Sequence, residues 1–193
     1  MEARPNKSEK LFLSLGYNRF YDLFDEIMMD DFWAKEDCYR FGKVSSIFAV
    51  YAELLAYEPF KHVLEALKRQ RPPMESEIGD PLFKFVRNIL AHFPVFETWD
   101  EVWVTNELVN WQREGLTIDR FLKKYAGHDE VKYRFWEADK KRMTYMSIRF
   151  PEKYDNNKIY LKDMIEEKDG VKFSLIMMRQ ILNTQVESVG ENA

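Results

Sequence analysis

Apolar residues recur every three or four positions through the first two thirds of this 193-residue chain, which is the spacing of a buried helical face. A first helix is predicted from Ser8 to Met28, with a bend near Gly16, and a second from Glu36 to Tyr57. A third, shorter helix is predicted between the break at Pro59 and the sequence Arg71-Pro72-Pro73. The apolar sets of the three helices are Leu11, Leu15, Phe20, Leu23, Phe24, Ile27 and Met28; Val44, Ile47, Phe48, Tyr51, Leu54 and Leu55; and Val63, Leu64 and Leu67. The chain therefore predicts a helical bundle.

A fourth helix is predicted directly before Pro94. Asp80 is a suitable N-cap and Pro81 a suitable first residue, while Pro94 disfavours helical geometry at the residue before it. The residues expected to face the core share the helical spacing, and they are Leu82, Val86, Ile89, Leu90 and Phe93. A second face carries Lys84, Asn88 and His92 at intervals of four, with Arg87 beside Lys84. We expect this polar strip to run next to the buried face and to be open for pairing.

The string Arg87-Asn88-Ile89-Leu90-Ala91-His92 resembles the signature of the HEPN superfamily (higher eukaryotes and prokaryotes nucleotide-binding). In that signature an arginine is followed after four to six residues by a histidine, often with a polar residue directly after the arginine. The resemblance covers about Glu9 to Lys124 and implies an α-helical bundle with metal-independent endoribonuclease activity. It further implies a homodimer in which both motifs line one cleft, and a role in toxin–antitoxin or antiviral defence systems.

The resemblance also implies a role for each residue of the motif. His92 is expected to be the acid or base in the attack of a 2′-hydroxyl on phosphorus, and Arg87 the clamp for the phosphate. Asn88 is expected either to orient His92 or to contact substrate, with the first role favoured. Lys84 lies outside the motif, and as a cation beside Arg87 on the same helix it is expected to bind substrate. RNA is the expected partner, together with a second copy of the chain and a possible antitoxin or regulatory protein. No metal or cofactor is expected.

Two alternatives remain open from the sequence. Some HEPN proteins lack catalysis, so the chain could instead bind nucleotides or RNA, or act as a regulatory protein. The other alternative is a helical scaffold unrelated to HEPN, in which Arg87 pairs with a carboxylate, Asn88 is solvated and His92 caps the end of its helix. Glu53, inside an apolar run, is expected either to pair with Arg87 or the polar strip, or to be exposed.

Charge and cysteine content narrow the setting of the protein. A net charge of −4 and a pI near 5.6 argue against a broad basic surface for nucleic acid, and they leave room for a local phosphate site. The basic runs at 61–71 and 132–149 are expected to be solvated faces, with RNA contact as the alternative. The single Cys38 forms no internal disulfide, and the chain begins without an apolar leader and contains no apolar run of membrane length. We expect a cytoplasmic protein with no membrane segment.

The pattern becomes mixed after Pro94. The expected elements are a helix over Trp99 to Trp111 capped by Asp100, a helix over Thr117 to Tyr125 ended by Gly127, a β-hairpin within Val131 to Phe150, a strand over Lys158 to Leu161, and a final helix over Val171 to Gln185. The predicted fold class is mainly α. We predict a HEPN-like helical core over residues 1–125 and a C-terminal α+β extension over 126–193 that packs on the core.

Overall fold

The computed structural model describes residues 6–58, 81–82, 84–90, 95–110, 115–128, 131–137, 141–153 and 157–190. At 109–110, 115–117, 131–137, 144 and 184–190 it describes the backbone alone. The chain divides into two compact units, one formed by Met1–Glu77 with Ser174–Ala193 and the other by Ile78–Phe173. The predicted core over 1–125 and extension over 126–193 stay a prediction.

The described helices and strands follow each other in this order. The helices are α1 Lys7–Met28, α2 Asp37–Ala56, α3 at residues 81–82 and 84–90, α4 Asn106–Asn110, α5 Gly115–Tyr125, α6 Leu161–Met164 and α7 Glu167–Gly190. Two 3₁₀ turns cover Asp30–Ala34 and Trp99–Glu101. The strands are β1 Trp103–Val104, β2 Val131–Glu137, β3 Arg142–Ile148 and β4 Ile159–Tyr160.

Helix α1 begins with a capping box. The Asn6 side chain accepts a hydrogen bond from the Glu9 backbone N at 3.0 Å, and Glu9 Oε2 accepts one from the Asn6 backbone N at 2.6 Å. These two bonds satisfy backbone donors that have no partner within the helix. The helix therefore starts one residue before the predicted Ser8, and it continues through Gly16.

Only the second half of α1 is buried. Its buried residues are Phe20, Leu23, Phe24 and Ile27, which confirms the predicted apolar spacing in that half. Leu11 and Leu15, which belong to the same predicted set, are each 61% exposed. The first half of the helix thus presents apolar side chains to solvent.

Helix α2 packs against α1 along most of its length. Its buried residues are Phe41, Val44, Ile47, Phe48, Tyr51 and Leu54, whereas Leu55 is half-buried. The two helices approach closely at Gly16, where a Cβ would lie 2.7 Å from Leu54 Cδ2. The predicted second helix is confirmed. The contact with Leu54 explains why a residue without a side chain occupies position 16.

A polar cluster joins the end of α1 to the beginning of α2. Glu26 accepts a hydrogen bond from Lys43 Nζ at 2.7 Å and one from the Tyr39 hydroxyl at 2.6 Å. The hydrogen bond from Lys43, and then the one from Tyr39, hold the pKa of Glu26 below its ordinary value of 4.5. The same bond to Glu26 raises the pKa of Lys43.

The last helix returns to the first. From Ser174 onward α7 belongs to the same unit as α1 and α2. The Tyr21 hydroxyl donates a hydrogen bond to Asn183 Oδ1, and the Arg179 guanidinium lies 4.7 Å from the centre of the Phe24 ring. The predicted final helix is confirmed, and it begins earlier than Val171.

In the second unit, β2 and β3 form the predicted antiparallel hairpin. Their register runs from Val131 opposite Ile148 to Glu137 opposite Arg142, and Lys141 turns the chain at φ 49°. Along β3, Met146 and Ile148 are buried while the residues between and beside them are exposed. This alternation is the one expected of a strand with one face on a core.

The predicted helix over Trp99 to Trp111 is wrong in its middle. Residues Trp103–Val104 form a strand that pairs antiparallel with Ile159–Tyr160, and a helix begins only at Asn106. Trp99 is buried in a 3₁₀ turn, where its Nε1 donates to the Ile165 backbone O at 3.1 Å. The predicted strand within Lys158 to Leu161 is confirmed by the same pairing.

The remaining predicted helices are either confirmed or lie outside the described residues. Helix α5 covers the predicted Thr117 to Tyr125, and Gly127 follows it with a φ of +79°. The predicted third helix, with Val63, Leu64 and Leu67, lies outside the described residues. The structure is mainly helical with antiparallel strands toward the C-terminus, so the predicted mainly α fold with an α+β C-terminal part is confirmed.

Two glycines in the α1 and α2 helices should respond in opposite directions to alanine. An added Cβ at the exposed Gly42 meets no atom within 4 Å, so Gly42→Ala should raise the free energy of unfolding by about 0.5–1 kcal/mol. Gly16→Ala should lower it, because the new Cβ would meet the fully buried Leu54 at 2.7 Å. Urea unfolding followed by circular dichroism measures both. An equal increase in the free energy of unfolding for the two variants would contradict close packing at Gly16.

The Glu26 cluster should make stability depend on pH in the acid range. Because the folded-state pKa of Glu26 lies below 4.5, its carboxylate stabilises the fold above that pH, and this stabilisation is lost as pH falls through the folded-state pKa. Glu26→Gln should therefore destabilise the protein at pH 7 and have little effect once wild-type Glu26 is protonated. Thermal unfolding measured at pH 7 and at a pH below the folded-state pKa of Glu26 tests this. A Glu101→Gln variant, at an exposed carboxylate in a 3₁₀ turn, is the control.

Candidate functional site

The motif-bearing helix α3 is buried on the face that the sequence predicts. Leu82, Val86, Ile89 and Leu90 are between 1% and 8% exposed. Phe85, which the sequence analysis did not single out, is also 1% exposed and widens the buried face. Most of the circumference of α3 therefore faces protein.

An aromatic stack holds α3 against α5. The Phe85 and Phe121 rings stack with centroids 4.5 Å apart and an interplanar angle of 23°. Phe121 also contacts Tyr125 and Phe150, at centroid distances of 4.9 and 5.7 Å. Such pairs contribute roughly 0.5–1.5 kcal/mol beyond the burial of their area. The stack places the Phe85 side of α3 against α5, so the solvent-facing residues of α3 lie on its other sides.

Two cationic side chains lie on the side of α3 opposite Leu82 and Ile89. Lys84 is exposed and Arg87 is half-buried, and the two are three residues apart, which places them one turn from each other. No hydrogen bond or ion pair joins the Arg87 side chain to another described residue. Lys84 and Arg87 form what we call the cationic edge of α3.

Asn88 is buried, whereas the predicted polar strip was expected to be open to solvent. Its side chain lies next to that of Lys84 on the helix, yet it is only 5% exposed. The structure thus brings Lys84 and Arg87 to the surface and keeps Asn88 inside. The expectation that Asn88 orients His92 or contacts substrate stays a prediction.

The end of the motif lies outside the described residues. His92, Phe93 and Pro94 are in this group, and so is the predicted N-cap Asp80, whereas Pro81 is described and helical. The relation of His92 to Arg87 therefore stays a prediction. Glu53, for which pairing and exposure were both open, is exposed on α2.

Among the other histidines, His128 is described and His62 is not. His128 follows α5 in a loop, as expected, with its Nδ1 3.0 Å from the Tyr125 backbone O. Its ring lies edge-on to Tyr125 at a centroid distance of 6.0 Å. These contacts place His128 in a loop against the last residue of α5.

Asp119 is a buried acid that the sequence analysis did not find. It lies on α5, two residues before Phe121, and it is 8% exposed. Its Oδ2 is 2.9 Å from Lys123 Nζ, while its buried Oδ1 has no hydrogen-bond partner in the described part of the chain. In the sequence, buried Asp119 could have been recognised as an acid placed among the apolar residues Ile118, Phe121 and Leu122 of the same helix.

A separate groove of about 310 Å³ lies in the second unit, beside β3 and the turn after α6. Its charged lining mixes both signs, with Arg149 and Lys162 near Asp163, Glu166 and Asp169. No residue of α3 lines it. Because these charges largely offset each other, the groove provides less attraction for a phosphate than the cationic edge does.

The described residues contain no cluster of three or more His, Cys, Asp or Glu side chains that could hold a metal ion. Among the helices in the described ranges, none has both the length and the apolar character needed to cross a membrane. Comparison of the chain with protein-family models, with curated proteins and with solved structures found no match.

The burial of Asn88 predicts a cost for a charge at this position. Asn88→Asp should lower the free energy of unfolding by about 1–3 kcal/mol at pH 7, because it buries a carboxylate. Burial raises the pKa of a carboxyl group, so the loss should shrink as the pH falls to about 3, below the unfolded-state aspartate pKa of about 3.9, where the acid is mostly neutral in both states. Urea unfolding at the two pH values measures this. Lys84→Ala, at an exposed position, should change stability by less than about 0.5 kcal/mol.

Proposed function

We propose that the chain is a metal-independent endoribonuclease of the HEPN type. The observation that carries the proposal is the motif beginning at Arg87 on a helix whose opposite side is packed into the protein. On that helix the cationic edge of Lys84 and Arg87 remains accessible to a phosphate.

The proposed chemistry follows from the side chains. The 2′-hydroxyl of RNA attacks the adjacent phosphorus after His92 removes its proton, and the bond to the 5′-oxygen breaks as that oxygen gains a proton. The products are a 2′,3′-cyclic phosphate and a 5′-hydroxyl. An imidazole suits this task because it gains and loses protons near neutral pH.

Arg87 is the proposed clamp for the phosphate. Its planar guanidinium stays charged and can donate two parallel hydrogen bonds to two phosphate oxygens, and these bonds strengthen as charge builds in the transition state. Lys84, one turn away, adds a second cation that can contact a neighbouring phosphate. Two local cations suit a chain whose net charge is −4, because the site needs no broad basic surface.

A second copy of the chain completes the proposed site. One histidine does not easily act as base and acid in the same step, so we propose that His92 of each protomer faces a shared cleft. Asn88 is proposed to position His92 from inside the helix packing, and its burial supports a positioning role better than contact with substrate. Roles in toxin–antitoxin or antiviral defence, with an antitoxin or regulatory partner, belong to the same proposal.

Cleavage of RNA by purified protein tests the proposal. We expect cleavage to persist in EDTA and to leave 2′,3′-cyclic phosphate ends. His92→Ala should reduce the rate by about 10²- to 10⁴-fold, and Arg87→Ala by about 10²- to 10³-fold, because each removes a group that acts in the transition state.

Matched variants control for general damage. His128→Ala and Arg120→Ala replace an exposed histidine and an exposed arginine elsewhere in the same unit, and both should cleave at the wild-type rate. Wild-type activity in His92→Ala, or a requirement for a divalent metal, would overturn the proposal. RNA binding without cleavage would point instead to a HEPN-like binding protein.

A further inference from the structure

The first half of α1 presents apolar side chains to solvent on the side away from the core. Leu11 and Leu15, four residues apart, are each 61% exposed, and the neighbouring Phe12 is 44% exposed. Single exposed leucines are common in soluble proteins, but two of them on one helix face beside a phenylalanine form a contiguous patch. A patch of this kind is typical of a protein–protein contact.

Charges are sorted along the same face. Lys7 and Lys10 lie at its beginning and Asp22 and Asp25 at its end, and all four are exposed. Counted at 100° per residue, these positions lie within one face of α1 together with Leu11 and Leu15, opposite Phe20 and Ile27. We call these six residues, Lys7, Lys10, Leu11, Leu15, Asp22 and Asp25, the α1 stripe.

This order of charges is unfavourable for α1 by itself. A helix prefers acidic side chains near its N-terminus and basic ones near its C-terminus, because the backbone dipoles sum to a positive and a negative end. The lysines and aspartates of the α1 stripe have the opposite order, while the favourable Glu9 of the first turn lies on another face, and the last turn of α1 contains no basic residue. An antiparallel neighbour with the same sequence would offset this, since its acidic end would lie beside the basic beginning.

The stripe is complementary to itself. If two copies of α1 pair antiparallel about a twofold axis at the level of residue 16, Lys7 comes level with Asp25 of the other copy on the same side of the contact. Lys10 comes level with Asp22, which lies at the other edge of the contact. The two Leu15 side chains then meet near the axis, flanked by the leucines at position 11. A twofold contact needs this property, because each residue faces the same surface patch on the partner.

We propose that the chain self-associates through the α1 stripe, with a second copy paired antiparallel by leucine contacts at the centre and lysine–aspartate pairs at both ends. The inference does not rest on the proposed ribonuclease, because it uses other residues on another helix. It goes beyond that function by naming a surface and the partner that fits it.

Charge reversal tests the proposal with the full chain. We expect wild-type protein to associate with a dissociation constant of about 10–100 µM, as for a small interface, and more weakly in high salt. The double variants Lys7→Asp/Lys10→Asp and Asp22→Lys/Asp25→Lys should each associate at least about tenfold more weakly, because the attraction between lysines and aspartates at both ends of the contact becomes repulsion. An equimolar mixture of the two should recover association as a heterodimer. Sedimentation velocity measures the association of the wild type, of each double variant and of their mixture.

The charge-reversed proteins should remain folded, because each reversal places at one end of α1 the charge that the helix dipole favours there. Arg120→Asp/Lys153→Asp, at exposed positions in the other unit, makes the same change in net charge as Lys7→Asp/Lys10→Asp and should associate like wild type. Leu15→Glu should weaken association in the same way as charge reversal, and His92→Ala should leave it unchanged even if RNA cleavage fails. A wild-type monomer at about 100 µM, or unaltered association in both reversed variants, would overturn the proposal.

Discussion

The stack of Phe85 on Phe121 is the contact on which the candidate site depends. A helix of this kind could rotate about its axis if its apolar stripe were narrow, and the residues on its exposed edge would then be ill defined. The 4.5 Å ring separation, together with burial of Leu82, Val86 and Ile89, leaves a narrow sector in contact with solvent among the described residues of α3. Lys84 and Arg87 occupy that sector. The position of the two cations is therefore a consequence of apolar packing on the other side of the helix.

Long helices and the hairpin could be predicted from the sequence because their patterns are local. The apolar spacing of Phe20 to Ile27 and of Val44 to Leu54 repeats for several turns, and the hairpin joins neighbouring strands. The pairing of Trp103–Val104 with Ile159–Tyr160 could not be found in this way. Two residues are too few to show a period, and their partner is distant in the chain. The hydrogen bond between Tyr21 and Asn183 could not be predicted either, because these two residues are also distant in the chain.

At the candidate site, the sequence predicted which apolar residues face the core but not how wide the buried face is. Helical spacing places Asn88 beside Lys84, and residue polarity alone suggests that both are solvated. Phe85 lies on the other side of Asn88, so the protein that covers Phe85 also covers the amide. The width of a buried face depends on the neighbouring elements, here α5, and these are not visible in the periodicity of α3.

Helix geometry also explains why the proposed chemistry calls for two copies. Residues five apart on a regular helix point about 140° away from each other, so a regular helix would not direct Arg87 and His92 at the same phosphate. A cleft lined by two protomers removes this difficulty, because the guanidinium of one copy and the imidazole of the other can approach from opposite sides. The charge order of the α1 stripe calls for a second copy on separate grounds, since it opposes the dipole of its own helix and matches that of an antiparallel neighbour. The proposed catalytic motif and an unrelated surface thus both call for a second copy of the chain, and either proposal can fail without the other.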